Sequence, residues 1–161
     1  MRSGFGHRPA EDRFVVTDRP DADDVAFLED RVVAATVAAT GRADARELAI
    51  LVREPEGSLR AGVYGWTWGG CCELQYLWVD DQLAGHGLGR DLIEAAETEA
   101  RRRGCRQVVL FTFDSQAPRL YRHLGYALVG TIDDYPTGGA AHWFRKRLDV
   151  LPDSTVPRSS R

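Results

Sequence analysis

The stretch Leu77-Trp78-Val79-Asp80-Asp81-Gln82-Leu83-Ala84-Gly85-His86-Gly87-Leu88-Gly89-Arg90 runs from an apolar segment through a glycine-rich turn into a helical pattern. Glycines at alternate positions leave backbone N–H groups without side-chain cover. The helix that follows adds its own unpaired N–H groups and the positive end of its dipole. Such a turn can cradle an anion, a phosphate above all. Gly-x-Gly-x-Gly also occurs in plain tight turns, so the neighbouring segments decide between the two.

Downstream, Leu92, Ala95, Ala96 and Ala100 line one face of a helix that begins at Leu88, with Glu94, Glu97, Arg101 and Arg102 off it. Gly104 ends this helix, and Arg101, Arg102 and Arg103 in its last turn read as a solvated end suited to the dipole. Gln107 to Phe113 reads as a buried strand, so strand, helix and strand form a right-handed crossover joining two parallel strands. Ser115 to Leu124 then predicts a short helix with Pro118 in its first turn, closed by Gly125. Tyr126 to Thr131 and Ala141 to Leu148 predict two last strands.

Upstream, Gly69-Gly70 matches a two-residue hairpin loop between strands Leu59 to Trp68 and Cys71 to Asp80. Leu48 to Val52 gives a strand before them, closed by the turn Glu54-Pro55-Glu56-Gly57. In the third strand Leu74 faces one way under strict alternation, and Leu77 and Val79 the other. Either a β-bulge shifts the phase or both faces of the strand are buried. Earlier still, Asp23 and Asp24 cap a helix whose Val25, Leu28, Val32, Ala35 and Ala39 predict one buried stripe up to Gly41, and Arg13 to Thr17 is a strand candidate. Residues 1–11 read as a flexible leader, 12–149 as one domain and 150–161 as a flexible tail with too little apolar content to pack. The fold class is α/β of the α+β kind, a mixed sheet with flanking helices.

The chain has 161 residues, 43% hydrophobic and 28% charged, enough for one core that needs no disulfide or metal. Neither a bilayer-spanning run nor a secretory h-region is visible, so no membrane partner and a cytoplasmic location are expected. Cys71, Cys72 and Cys105 form no Cys-x-x-Cys pair and read as reduced, with no metal. A formal net charge of −3 argues against a nucleic-acid partner and mildly favours a cationic substrate.

The cradle, its helix, the strand to Phe113 and then Gln116-Ala117-Pro118-Arg119-Leu120-Tyr121-Arg122-His123-Leu124-Gly125-Tyr126 together resemble the GNAT superfamily of acyl-CoA-dependent N-acetyltransferases. The likeness spans roughly Phe14 to Leu148 and is strongest from Glu73 to Gly130. Leu77-Trp78-Val79-Asp80, the Gln-Ala-Pro run and Asp134-Tyr135-Pro136 resemble a bacterial branch of it. The resemblance implies a mostly antiparallel mixed sheet in which one central parallel pair splays apart to admit the pantetheine arm of acetyl-CoA. It implies a coenzyme site of Leu77, Trp78, Val79, Ala84, Gly85, His86, Gly87, Leu88, Gly89 and Arg90. The Gln/Arg-x-x-Gly-x-Gly/Ala signature falls on Ala84, Gly87 and Gly89, departing at Ala84, where Arg90 is the nearby charge. Asp114 stands where the family often has Asn for the pantetheine amide, with Gln116 as a substitute. The branch often has a His at the place of Gly139, so the acceptor pocket differs.

The chemistry implied needs a neutral amine, a polarised thioester carbonyl and a partner for the departing thiolate. Glu73 matches the position of the family's glutamate base, the alternative being an exposed strand carboxylate. A backbone N–H near Val79 would serve the carbonyl. Tyr121 matches the thiolate partner, the alternative being a core aromatic under Leu124. Most of Trp66, Trp68, Trp78, Tyr135 and Trp143 are expected in the core. Trp66, Asp134 and Tyr135 are the acceptor-side candidates, since Asp133-Asp134-Tyr135 offers an ammonium carboxylates and an aromatic face. His142 reads as packed, surface or pocket-lining, and a Cys nucleophile is discounted. The expected activity is transfer from acetyl-CoA to a small amine, amino metabolite or antibiotic. The alternatives are a protein N-terminus or lysine as acceptor, or a non-catalytic acyl-CoA-binding sensor. A monomer or homodimer fits equally.

Overall fold

The computed structural model describes residues 14–116 and 118–149, so the expected leader and tail lie outside the described residues. The chain divides into two compact units, Met1–Gly41 and Arg42–Arg161.

In the first unit a helix, α1, spans Ala22–Thr40. Its cap is Asp21, whose side chain accepts the Asp23 N–H; Asp23 and Asp24, expected as caps, lie in the first turn near the positive dipole end. Gly41 closes it at φ 68°, its N–H bonding to the Val37 carbonyl. Two expectations fail here. Phe14 to Thr17 form no strand, and no residue of α1 is buried. Phe27 and Val33 lie off the proposed stripe and are as exposed as Val25, Leu28 and Val32, so the helix is apolar around its circumference rather than along one side.

The second unit carries β1 (Arg46–Arg53), β2 (Leu59–Trp68), β3 (Cys71–Val79), α2 (Leu88–Arg102), β4 (Gln107–Phe113), α3 (Pro118–His123), β5 (Ala127–Asp133) and β6 (Ala140–Arg147). They form one mixed sheet in the order β1-β2-β3-β4-β6-β5. Only β3 and β4 pair in parallel, as the crossover through α2 requires. Gly69 and Gly70 turn the β2–β3 hairpin at φ 59° and 83°, the left-handed pair that such a loop demands.

The phase change in β3 is a bulge. Tyr64 pairs with Tyr76 but Gly65 pairs with Leu74, so Gln75 is an extra residue. Cys72 and Leu74 before it, and Leu77 and Val79 after it, therefore all join the face packed by α2. The parallel pairing runs from Cys71↔Gln107 to Leu74↔Leu110 and stops at the bulge. Beyond it β3 stays with β2 to Val79↔Ala61, while β4 stays with β6 to Phe113↔Ala141. The sheet splits there.

The buried stripe of α2 is rotated from the expected one. Leu92, Ile93, Ala96, Glu97 and Ala100 are buried, and Ala95 is exposed. Glu97 tolerates burial because both its oxygens accept from Lys146 Nζ at 2.8 Å and one lies 3.3 Å from Arg101. Nor is the arginine triplet uniformly solvated: Arg103 reaches the Glu47 carbonyl at 2.8 Å and Thr67 Oγ1 at 3.2 Å, tying the helix end to β1 and β2. The short helix α3 starts at Pro118 rather than Ser115, after a turn in which the Gln116 N–H bonds to the Phe113 carbonyl.

Candidate active site

The cradle is built from β3 outward. Asp80 caps a single helical turn, Asp81–Leu83, by accepting the Gln82 N–H at 2.9 Å, and pairs with Arg60 at 3.5 Å. Gly85 and Gly87 then take φ 80° and 87°, a conformation that any side chain would strain. Gly87 opens α2 with no side-chain cap. Among the described residues, no acceptor meets the N–H groups from Gly85 to Arg90. Uncommitted donors at a helix start, aimed at open space, suit an anion.

A cleft of about 420 Å³ lies against them, lined by Leu77, Val79, Leu83, Ala84, Gly85, Gly87, Leu88, Gly89, Arg90 and Leu120. It brings together most of the expected coenzyme residues. Trp78 is not among them: it is half exposed and alternates to the other face of β3. His86, Asp114 and Gln116 also lie outside its lining. Leu83 and Leu120 were missed, being plain apolar positions on short elements. At Gly89 an added Cβ would make only ordinary contacts with Leu120 and Val79, so Ala fits there as well as Gly.

Glu73 sits on β3 just before the bulge, paired across to Trp66 on β2 and to Val109 on β4. Partial burial raises its carboxyl above the ordinary range, which makes it a better base. Tyr121 is 7% exposed on the α2 face, its ring 5.9 Å from Tyr126 and from Phe144. Burial pushes its phenol up. It does not line the cleft, although its neighbour Leu120 does. Burial also raises the three thiols, Cys72 to about 12, so these stay protonated near neutrality and make poor nucleophiles.

Of the acceptor-side candidates, Tyr135 stands against β4, its ring 5.4 Å from Phe113 and 6.3 Å from Phe111, and Trp143 lies 5.1 Å from Phe111. Phe111, Phe113 and Trp143 were not singled out together, because only the β4–β6 register makes them neighbours. Trp66 is on β2, on the far side of β3 from this cluster. Asp134 has φ 58° and its Oδ1 accepts the Gly138 N–H at 2.7 Å, so that oxygen shapes the loop. Gln116 is engaged locally too: its amide oxygen accepts from Thr112 Oγ1 at 3.0 Å and from the Phe113 N–H at 3.1 Å.

The model of the Acetyltransferase (GNAT) family matches residues 9–126. The chain belongs to that family. A GNAT acyltransferase of this fold takes acetyl-CoA as cosubstrate, and the free amides at the start of α2 fit its diphosphate. Acetyltransferase Atu2258 of Agrobacterium fabrum is 33% identical over 135 residues, 84% of this chain and 98% of its own. Blasticidin-S acetyltransferase of Streptomyces morookaense is 41% identical over 96 residues, 57% of this chain and 68% of its own. A crystal structure from Agrobacterium tumefaciens superposes with a TM-score of 0.80 at 32% identity, covering 84% of this chain and 98% of that one. No helix among the described residues is long and apolar enough to cross a membrane.

Proposed function

We propose that this GNAT enzyme transfers an acetyl group to a primary amine by direct attack on the thioester, with a small amine, amino metabolite or antibiotic as acceptor. The observation that carries this reading is the split of β3 from β4 at the bulge, next to a helix start whose amides meet no acceptor among the described residues. The likeness to blasticidin-S acetyltransferase supports a small acceptor.

In this mechanism the amides of Gly85 to Arg90 hold the diphosphate, and Arg90 adds charge from the cleft wall. Leu77, Val79 and Leu120 pack along the arm. Past the bulge, alternate N–H groups of β3 point away from β2 toward the space that β4 has left, and there they polarise the thioester carbonyl. An alkyl amine with a pKa of about 10.4 arrives mostly protonated at pH 7. Glu73 takes its proton, directly or through water. Tyr121 donates a hydrogen bond to the departing thiolate. With an ordinary phenol near 10 and a thiol near 8.5, complete transfer is already uphill by about 2 kcal/mol, and burial of Tyr121 adds to that. The phenol therefore stabilises charge, and solvent supplies the proton.

Release of coenzyme A thiol across a panel of small amines, peptides and lysine derivatives tests the reading. Turnover with small amines that falls in Tyr121→Phe supports it. Acetyl-CoA binding without turnover on any amine would make the chain a sensor.

A further inference from the structure

Where β3 and β4 part, each strand shows different residues to the two sides of the sheet. On the α2 face stand Leu77 and Val79, which line the cleft, and Leu110 and Thr112, which are buried. Alternation turns Tyr76 and Trp78 of β3, and Phe111 and Phe113 of β4, to the other face. The parallel pairing ends at Leu74↔Leu110, so these rings stand on the two lips of the split, a pair on each strand. On the α2 side the end of β4 is polar, and its groups satisfy one another: His142 Nε2 is 2.6 Å from Asp114 Oδ1, and its Nδ1 is 3.1 Å from Thr131 Oγ1.

The aromatic surface continues outward from both lips. On the β3 side the Tyr76 ring stacks on Tyr64, centroids 6.1 Å apart and planes 17° from parallel. On the β4 side Phe111 and Phe113 carry Trp143 and Tyr135 against them. Large rings dominate protein cores, yet here Tyr76 is 68% exposed, Trp78 and Tyr135 50% and Trp143 39%. Glu73 faces the same way, because Cys72 and Leu74 on either side of it are buried toward α2. Its pairing with Val109 lies one rung before the split. The opening therefore has aromatic walls and a carboxylate at its root.

We propose that the acceptor is a primary amine carried on a planar aromatic or heteroaromatic ring, which enters from this face, lies between the rings of the two lips and leads its nitrogen to Glu73. This rests on the reading of the chain as an amine acetyltransferase and names the class of amine. A flat ring makes offset or edge contacts with the rings on both sides, which a puckered aliphatic skeleton of the same size cannot match. The arriving ammonium passes ring faces and then meets a carboxylate, and both attract a cation. The bonds exchanged are those of the transfer itself: the nitrogen bonds the acetyl carbon as the C–S bond breaks, Glu73 takes the proton from nitrogen, and solvent protonates the thiolate.

The experiment measures release of coenzyme A thiol by the full chain, at saturating acetyl-CoA, for amines that share a skeleton and differ in planarity. The pairs are 2-phenylethylamine with 2-cyclohexylethylamine, and benzylamine with cyclohexylmethylamine. In each pair kcat/KM should favour the aromatic amine about 3- to 10-fold, the scale of one aromatic contact. Phe113→Leu and Tyr76→Leu should bring that ratio toward one through KM, with acetyl-CoA affinity by calorimetry unchanged, and Phe113→Tyr should keep it. A wild-type ratio at or below one, with turnover of both amines, overturns the ring preference and leaves amine acetylation standing. A ratio that survives both leucine variants removes these lips from the acceptor site and overturns the proposal. So does a dimer in sedimentation that Trp143→Ser dissociates while the ratio is one, because a second copy then covers this face. Acetyl-CoA binding with no turnover of any amine overturns the transferase reading together with this one.

Discussion

A Cβ on Gly65 would run into the backbone carbonyl of Glu73, the closest approach that any glycine among the described residues makes. Position 65 faces the bulge, where β3 carries one residue more than β2. The bulge and the glycine are thus one device, and the split of the sheet starts from it. Gly65→Ala should cost about 2–3 kcal/mol, because a rigid backbone carbonyl cannot yield as a side-chain tip would. It should also weaken acetyl-CoA by shifting β3 relative to β4. Urea unfolding and calorimetry check both effects.

Glu73 gives a signed pH prediction. Its folded-state pKa is raised by burial, so its contribution to stability is full below the unfolded carboxylate range and is lost as pH rises through the folded value. Glu73→Gln should therefore raise the thermal midpoint at pH 7 relative to wild type, with the difference vanishing at acid pH. As the base, Glu73 works only when ionised, so kcat/KM should rise with pH along an acid limb placed above the ordinary carboxylate range. That limb should disappear in Glu73→Gln. An unchanged profile would remove Glu73 from the mechanism.

The ion pair between α2 and β6 yields a stability prediction. Lys146→Met leaves Glu97, which is 2% exposed, with Arg101 as its remaining charged partner at 3.3 Å. The expected cost is about 3 kcal/mol, since the single contact to Arg101 leaves the other oxygen of a buried charge without its cation. Adding Glu97→Met should recover most of it. Chemical denaturation of the single and double variants measures the coupling.

Gly87→Ala should cost about 1 kcal/mol of stability, because φ 87° disfavours any Cβ, and acetyl-CoA affinity should fall with it as the amide cluster is re-aimed. Gly89→Ala is the control. Its φ is not left-handed and the added methyl meets only ordinary contacts, so unfolding should barely change.

How much of this was legible in the residues depended on whether a signal was local. The Gly69-Gly70 turn, the crossover and the glycine-rich turn before a helix are local patterns that the sequence states directly, whereas the left-handed φ of Gly85 and Gly87 comes from the structure. The phase change at Gln75 was visible, but alternation alone could not separate a bulge from a strand buried on both faces; pairing with Gly65 does. Glu97 was misplaced because the reading assigns charge to the outside, and its partner Lys146 is 49 residues away. Arg103 was misread for the same reason, its acceptors lying on β1 and β2. The stripe on α1 failed because alanine- and valine-rich sequence places apolar residues on every side. The Asp114–His142 contact has no local signature at all, since β6 must come back beside β4 before the two residues meet.

In the proposed mechanism the amides at the start of α2 grip the diphosphate while the arm enters between β3 and β4. Titration of the isotopically labelled chain with coenzyme A, followed through the backbone amide resonances of Gly87, Gly89, Tyr76 and Val79, tests it most directly. Saturable shifts are expected at both glycines and along β3 beyond the bulge, with the paired residues of β1 quiet. Binding that leaves the glycine amides unmoved and shifts another surface would contradict it.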